Sequence, residues 1–191
     1  MRAWALHLYR WLLERLYHQF APLYDTVATL ISRGHWFVWG EQLIPFCTGP
    51  VLELGCGTGH LQASLARHDI WSIGLDRSPA MLAQARRRAS RLLRADSRAI
   101  PCADQSFACV VAVFPAPYIA DPATLNEVAR VLRPDGQLLI LLAAGRMQLT
   151  SHPLWHQLQQ SDWHLETPTV TARNTPLQII VARVPDHATH T

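Results

Sequence analysis

Apolar and polar positions over residues 2–20 recur at helical spacing. His7, Arg10, Glu14 and His18 mark one polar face, while Trp4, Leu8, Trp11, Leu12, Leu16 and Phe20 crowd the rest. Pro22 is expected to end that helix. A second is predicted from Tyr24 to about Ser32, stopped by Gly34, and a third over Trp36 to Phe46. From Pro50 the period changes. Val51–Leu54 reads as a short buried strand, Leu61–Arg67 as a helix and Trp71–Leu75 as a second strand ending at Asp76. Ser78 caps the next helix with Pro79 in its first turn, where a missing N–H costs little; Met81, Leu82, Ala85 and Ala89 form its apolar stripe. Further strands are predicted over Leu92–Ala95, Phe107–Phe114 and Gln137–Leu142. The last of these follows a helix from Asp121-Pro122 through Leu132 and a turn at Arg133–Gly136. A helix at Pro153–Gln160 precedes two final strand segments, Trp163–Thr171 and Leu177–Val184, separated by a hairpin signal at Arg173–Pro176.

Strands alternating with helices define an α/β fold, a mostly parallel sheet with helices on both faces. Residues 1–48 are read as an N-terminal helical extension or cap, 49–185 as the domain, and 186–191 as a disordered tail.

Composition narrows the function. The chain has 191 residues, 49% hydrophobic and 16% charged, enough to bury a core in one domain. No apolar run is long enough to span a bilayer, and no secretory signal is read at the N-terminus. The formal charge of +3 is too small to imply a nucleic-acid partner, and a cytoplasmic location is expected. Every basic side chain is Arg; without lysine, Schiff-base chemistry and a lysine base are excluded. Cys47, Cys56, Cys102 and Cys109 form no C-x-x-C pair, so reduced thiols and no metal site are expected.

The candidate chemistry lies in the turn Gly55-Cys56-Gly57-Thr58-Gly59, directly after the first strand. Open α/β sheets bind ligands at the carboxyl ends of their strands, and glycines there let backbone approach a ligand at a helix N-terminus. The spacing is G-x-G-x-G; the dinucleotide pattern G-x-G-x-x-G needs a glycine where His60 stands. Asp76, at the tip of the second strand, is the acid that could accept from two vicinal ribose hydroxyls.

Val51–Gly59 closely resembles the first motif of class I S-adenosylmethionine-dependent methyltransferases, and Gly74–Leu82 resembles their second. Arg94-Ala95-Asp96-Ser97 with Ile100-Pro101 and Ser106-Phe107 resembles the third. Asn126–Leu138 resembles the helix, turn and fifth strand of the type 11 group. The resemblance covers about residues 50 to 142 and implies a Rossmann-like seven-stranded sheet, order 3-2-1-4-5-7-6 with strand 7 antiparallel. It also implies S-adenosyl-L-methionine as cofactor. The front section, including Tyr24-Asp25, is loosely similar to the quinone C-methyltransferase branch.

The resemblance further implies roles. Glu53 and the backbone of Gly55, Cys56, Gly57 and Gly59 face the methionine part, and Asp76 holds the ribose. Arg77 and Met81 flank the adenine, Asp96 accepts from its amino group, and the Ser97 N–H faces its ring. Phe114 sits where methyl donor and acceptor meet. Phe114-Pro115-Ala116-Pro117-Tyr118 departs from the Asp/Asn-Pro-Pro-Tyr pattern of many amino-group methyltransferases, since Phe114 cannot hold a target nitrogen.

The expected acceptor is a small, apolar or aromatic molecule. Should it need a base, Tyr118, His18, His35, His60 and His152 are candidates, and the sequence does not choose among them. Peripheral membrane contact through residues 1–20 is a further reading of the Trp-rich helix. Two other classes stay open: a non-catalytic adenosine-ligand or partner protein on the same fold, and a nicotinamide-dependent oxidoreductase. An RNA methyltransferase is a variant of the main reading.

Overall fold

The computed structural model of the chain describes residues 21–161 and 163–184. The helix predicted over residues 2–20, with the candidate base His18 and the membrane contact assigned there, and the tail predicted over 186–191 lie outside the described residues.

Eight strands form one sheet. Their ranges are β1 (Val51–Leu54), β2 (Ser72–Asp76), β3 (Leu92–Arg94), β4 (Phe107–Val113), β5 (Leu132–Ala144), β6 (His164–Glu166), β7 (Thr169–Ala172) and β8 (Thr175–Arg183). The order is β3-β2-β1-β4-β5-β8-β6, and β7 also pairs with β8. β1 to β5 pair in parallel; β8 runs antiparallel to β5, β6 and β7. This is the expected order and polarity, with one refinement: the predicted sixth strand is broken into β6 and β7, which share one edge of β8. Thr167 and Pro168 lie at the break, and proline has no N–H to give a ladder.

Six helices are described: α1 (Ala21–Ile31), α2 (Trp36–Glu41), α3 (His60–Arg67), α4 (Pro79–Ala85), α5 (Pro122–Val131) and α6 (Pro153–Gln160). Pro22 falls in the first turn of α1, so that helix begins before the predicted Tyr24. The predicted third helix stops at Glu41, followed by a single tight turn at Ile44–Phe46 carrying Pro45. The predicted turn at Arg133–Gly136 lies within β5 as a bulge. Partners shift there from Phe107↔Leu132 to Cys109↔Gln137. The hairpin before β8 is a two-residue turn with Arg173 at φ 49° and Asn174 at φ 62°, a backbone hand that suits strand twist.

The strands' period of two sorts the core onto the two sheet faces. Leu52, Leu54, Val110, Ala112, Leu138 and Ile140 join Leu125, Val128 and Val131 of α5 and Leu154 and Leu158 of α6. Val51, Cys109, Val111, Leu139 and Leu141 join Leu61 and Leu65 of α3, with Leu43 and Ile44 behind the cap helices. β1 is buried along its whole length and pairs with β2 on one side and β4 on the other. Its carboxyl end opens at the point where the chain's crossovers diverge, which is where such sheets take ligands.

Candidate active site

The glycine turn leaves β1 still hydrogen-bonded to β2, the Cys56 N–H donating to the Leu75 carbonyl at 2.9 Å. Two glycines are required by their surroundings. Gly55 has φ 68°, and a Cβ there would lie 2.6 Å from the Tyr118 hydroxyl. Gly59, the N-cap of α3, has φ 82°, and a Cβ would meet the Ala85 backbone at 3.1 Å. Around Gly57 the space is open, with nothing nearer than a backbone oxygen at 4.0 Å. The turn thus presents bare backbone at the strand end, the requirement for close approach of a ligand. The Cys56 side chain takes no part in that surface: it is buried, its sulfur packs against Gly74, and burial pushes its thiol well above the ordinary range.

Asp76, half-buried at the tip of β2, turns toward this bend. Its Oδ2 accepts from the Gly57 N–H at 2.9 Å and its Oδ1 from the Ser78 N–H at 2.7 Å. Ser78 in turn caps α4, accepting from the Met81 N–H. Glu53 lies buried beneath the turn. Burial pushes its carboxyl up to about 8, the Gln62 amide donating at 2.8 Å opposes the rise, and Asp76 adds to it. Ser72 holds Gln62 from behind, donating to its Oε1 at 2.9 Å.

Past β3, Asp96 is clasped by Arg98 through Nε at 2.9 Å, Nη2 at 2.7 Å and the backbone N–H at 2.9 Å. These bonds hold its carboxyl down at about 2, with Arg77 contributing at longer range, so Arg77 and Asp96 belong to the same edge. Ser97 is buried and its hydroxyl meets Thr124 of α5 at 3.2 Å. Met81 is wholly buried, so of the two expected adenine flanks only Arg77 is exposed. The loop behind Asp96 is tied to α5 by Arg130. It donates to Glu127 at 2.8 Å, to the carbonyls of Ile100 and Cys102 at 2.8 Å each, and to Asp104 at 2.6 Å; Glu127 also accepts from the Ile100 N–H. The Glu127 and Arg130 of the fourth motif are therefore a brace.

A hollow of about 380 Å³ adjoins the carboxyl ends of β4 and β5. Ile31, Ser32, Trp36 and Trp39 of the cap helices and their junction form one wall; Phe114, Pro115, Leu142, Ala143 and Ala144 form the other. Phe114, at φ 45°, holds a backbone conformation rare for a bulky residue, and its ring packs on Trp36 at 4.2 Å and edge-on to Trp39 at 6.2 Å. The Trp39 indole N–H is buried without a hydrogen-bond partner, the one such side-chain polar atom among the described residues. A larger hollow of about 500 Å³, beside Glu41, Ile44, His68 and Ile70, lies at the far end of α3 from the glycine turn and adjoins none of this chemistry.

The candidate bases separate. Tyr118 donates to the Leu54 carbonyl at 3.2 Å and abuts Gly55, so it walls the glycine turn. His35 stands edge-on to Trp39 at 5.9 Å, one residue before the hollow's wall. His152 caps α6, accepting from the Leu154 N–H. His60 stacks on Phe37 at 3.5 Å and meets Asp25 at 3.0 Å.

Asp25, read in the sequence only as part of the front section, is the centre of a hydrogen-bond cluster against the glycine turn. Its Oδ1 accepts from the Thr58 hydroxyl at 2.6 Å, and its Oδ2 from Arg88 at 2.9 Å, while Arg88 also donates to the Thr58 carbonyl at 3.0 Å. Burial pushes the Asp25 carboxyl up, but Thr58, His60 and Arg88 outweigh it and hold the group below its usual range. Burial in turn lowers His60 despite Asp25.

The comparisons agree with this arrangement. Residues 51–136 match the family described as methyltransferase domain. A 2-phytyl-1,4-naphtoquinone methyltransferase of Thermosynechococcus vestitus is 33% identical over 177 aligned positions, covering 85% of this chain and 76% of that protein. A demethylmenaquinone methyltransferase of Mycobacterium is 33% identical over 140 positions, 67% of this chain and 61% of that one. Among solved structures, a methyltransferase of Thermotoga maritima superposes with TM-score 0.68 at 18% identity, over 88% of this chain and 98% of the other. The magnesium protoporphyrin IX methyltransferase of Synechocystis, solved with S-adenosylmethionine bound, superposes with TM-score 0.53 at 16% identity, over 76% and 80%. The chain belongs to the class I S-adenosylmethionine-dependent methyltransferases. S-adenosylmethionine is its cofactor, and the nicotinamide alternative is set aside. The open backbone at Gly57 and the carboxylate of Asp76 turned toward it fit that molecule's amino-acid and ribose parts.

Proposed function

We propose that this methyltransferase acts on a small, flat, largely apolar acceptor of the hydroquinone or phenol class, seated in the hollow bordered by Trp36, Trp39 and Phe114. The observation that carries the reading is the hollow of about 380 Å³ walled by those rings at the carboxyl ends of β4 and β5. That volume falls within the range of small-molecule sites, and aromatic walls suit a planar ring. The relatives' activities, as a 2-phytyl-1,4-naphtoquinone methyltransferase and a demethylmenaquinone methyltransferase, support the same class.

In this reading Asp76 holds the ribose hydroxyls, and Glu53 with the backbone of Gly55, Cys56, Gly57 and Gly59 receives the methionine part. Arg77, Asp96 and Ser97 border the adenine over the buried Met81. When bound, S-adenosylmethionine supplies a methyl group already activated on a positively charged sulfur. The protein's own part is alignment and exclusion of water, and orientation alone is worth up to about 7–11 kcal/mol in model reactions. Among the described residues lining the hollow there is no carboxylate, imidazole or thiol. An electron-rich aromatic carbon attacks the methyl group through its ring electrons and gives up its ring proton to solvent only afterwards, so such an acceptor is compatible with that wall.

The test is S-adenosylhomocysteine release over a panel of naphthohydroquinones, phenols, amines and lipids. Turnover of amines alone, with none of the ring compounds, would overturn the acceptor class.

A lipid-facing edge follows from a second observation. Leu30 and Ile31 are 75% and 78% exposed, and Ile31 also lines the hollow. None of the hollow's lining residues is charged, and Arg33 and Arg146 lie close in sequence to Ser32 and Ala144 of that lining. No described helix is long and apolar enough to cross a membrane, and the contact proposed is peripheral. Sedimentation with anionic vesicles should fall on L30Q/I31Q substitution; equal partitioning of both proteins ends the idea.

A further inference from the structure

One helix touches both halves of the site. Near the start of α1, Asp25 accepts from the Thr58 hydroxyl at 2.6 Å, within the glycine turn, and Thr58 follows the Gly57 whose N–H is held by Asp76. At the other end of α1, Ile31 lines the aromatic hollow. The next residue, Ser32, donates its hydroxyl to the Ala28 carbonyl at 2.7 Å and accepts the Trp36 N–H at 2.9 Å, joining α1 to α2. Trp36 then meets Phe114 at 4.2 Å. An unbroken series of short contacts thus runs from Asp76 through Gly57, Thr58, Asp25 and α1 to the ring wall.

The remaining contacts make Asp25 a junction. Arg88, beyond the end of α4, reaches both the Asp25 carboxylate and the Thr58 carbonyl, at 2.9 Å and 3.0 Å. His60, the first residue of α3, bonds Asp25 and stacks on Phe37 of α2. A strut needed only for folding could sit anywhere along α1. This one is placed on the residue between the two glycines that border the ligand.

We infer that Asp25 is a positioning residue that couples the cofactor turn to the acceptor hollow, so that filling the turn orders the cap helices and tightens the hollow. The inference rests on the acceptor hollow proposed above. Coupling of this kind is reciprocal between the two ligands, with factors of about 5–150 where it has been measured.

The experiment uses the full chain with S-adenosylhomocysteine and 1,4-naphthoquinone as probes. Hydrogen exchange over residues 25–41 is followed with and without S-adenosylhomocysteine in wild type, D25N, T58V and T58S. Wild type and T58S, which retains the hydroxyl, should show at least about fivefold slowing on S-adenosylhomocysteine addition. In D25N and T58V the slowing should drop below about twofold while calorimetry still shows S-adenosylhomocysteine bound. Naphthoquinone affinity should follow the same pattern, rising with S-adenosylhomocysteine in wild type and T58S only.

Unchanged slowing in T58V and D25N, or none in wild type that binds S-adenosylhomocysteine, overturns the coupling. Should D25N fail to fold, the T58V and T58S pair decides alone. Failure is distinguishable from failure of the underlying reading: wild type that slows normally but binds no naphthoquinone refutes the acceptor assignment and leaves the exchange result to judge Asp25.

Discussion

The Gly57 N–H points at the Asp76 carboxylate across 2.9 Å, tying the bend after β1 to the tip of β2. Neither residue could hold this geometry alone. The bend needs left-handed backbone at Gly55, Gly57 and Gly59, and the acid needs a strand end that delivers it there. The finding bears directly on cofactor binding. D76A removes a charged acceptor, a loss of about 1.5–3 kcal/mol per bond to a charged group, so S-adenosylhomocysteine affinity should fall about ten- to a hundredfold. Calorimetric titration measures it, and an unchanged dissociation constant would show that the ribose is held elsewhere.

Glu53 sets a pH dependence. Its folded pKa, up at about 8, exceeds the ordinary carboxylate value of 4.5. Between those values the unfolded chain releases a proton that the native protein keeps. The neutral carboxyl is therefore compatible with the fold at low pH, and its contribution declines as pH rises from about 4.5 to 8, at up to about 1.4 kcal/mol per pH unit. E53Q, already neutral, should escape this decline. The gap in denaturation free energy between E53Q and wild type should widen in favour of E53Q from pH 5 to pH 8. A gap independent of pH would show that Glu53 does not titrate in this window.

Gly59 predicts a defect of a different kind. G59A forces a side chain onto left-handed backbone and against Ala85 at about 3 Å. A loss of about 1–3 kcal/mol by urea denaturation is expected, together with weaker S-adenosylhomocysteine binding. Wild-type stability in G59A would contradict the packing of α4 against the turn.

On the proposed acceptor assignment, the ring wall should matter more for the acceptor than for the cofactor. F114A should raise the acceptor KM at least about tenfold, as loss of a large aromatic contact predicts. S-adenosylhomocysteine affinity should stay within about threefold, since Phe114 packs on Trp36 rather than on the glycine turn. Equal loss on both sides would place Phe114 between the two sites.

Arg130 offers a test away from the ligands. R130A cuts the brace from α5 to the Ile100 and Cys102 carbonyls. Hydrogen exchange over residues 98–106 should speed up with little change in α3. No local change would mean that Arg130 does not hold the loop.

Much of the molecule was legible because its signals are local. The turn Gly55–Gly59, the acid ending β2 and the Ser78-Pro79 helix start are short patterns that need no distant partner to be read. The broken sixth strand was hidden because Pro168 weakens a ladder only once β8 lies alongside. The roles of Glu127 and Arg130 were likewise unreadable: they were motif letters until the fold set Glu127 against the Ile100 N–H and Arg130 against the Ile100 and Cys102 carbonyls on another loop.

The chain's periodicity was sufficient to determine the α/β class, and the resemblance of its motifs to a known family implied the strand order and the cofactor. Only the tertiary structure decided that Asp25 sits on Thr58 and Arg88, the latter 63 residues away, and that Trp36 closes on Phe114. The physical reason is that strands and turns arise from interactions between near neighbours in sequence. Contacts between a cap helix and a sheet end depend on how whole elements pack, which no local spacing encodes.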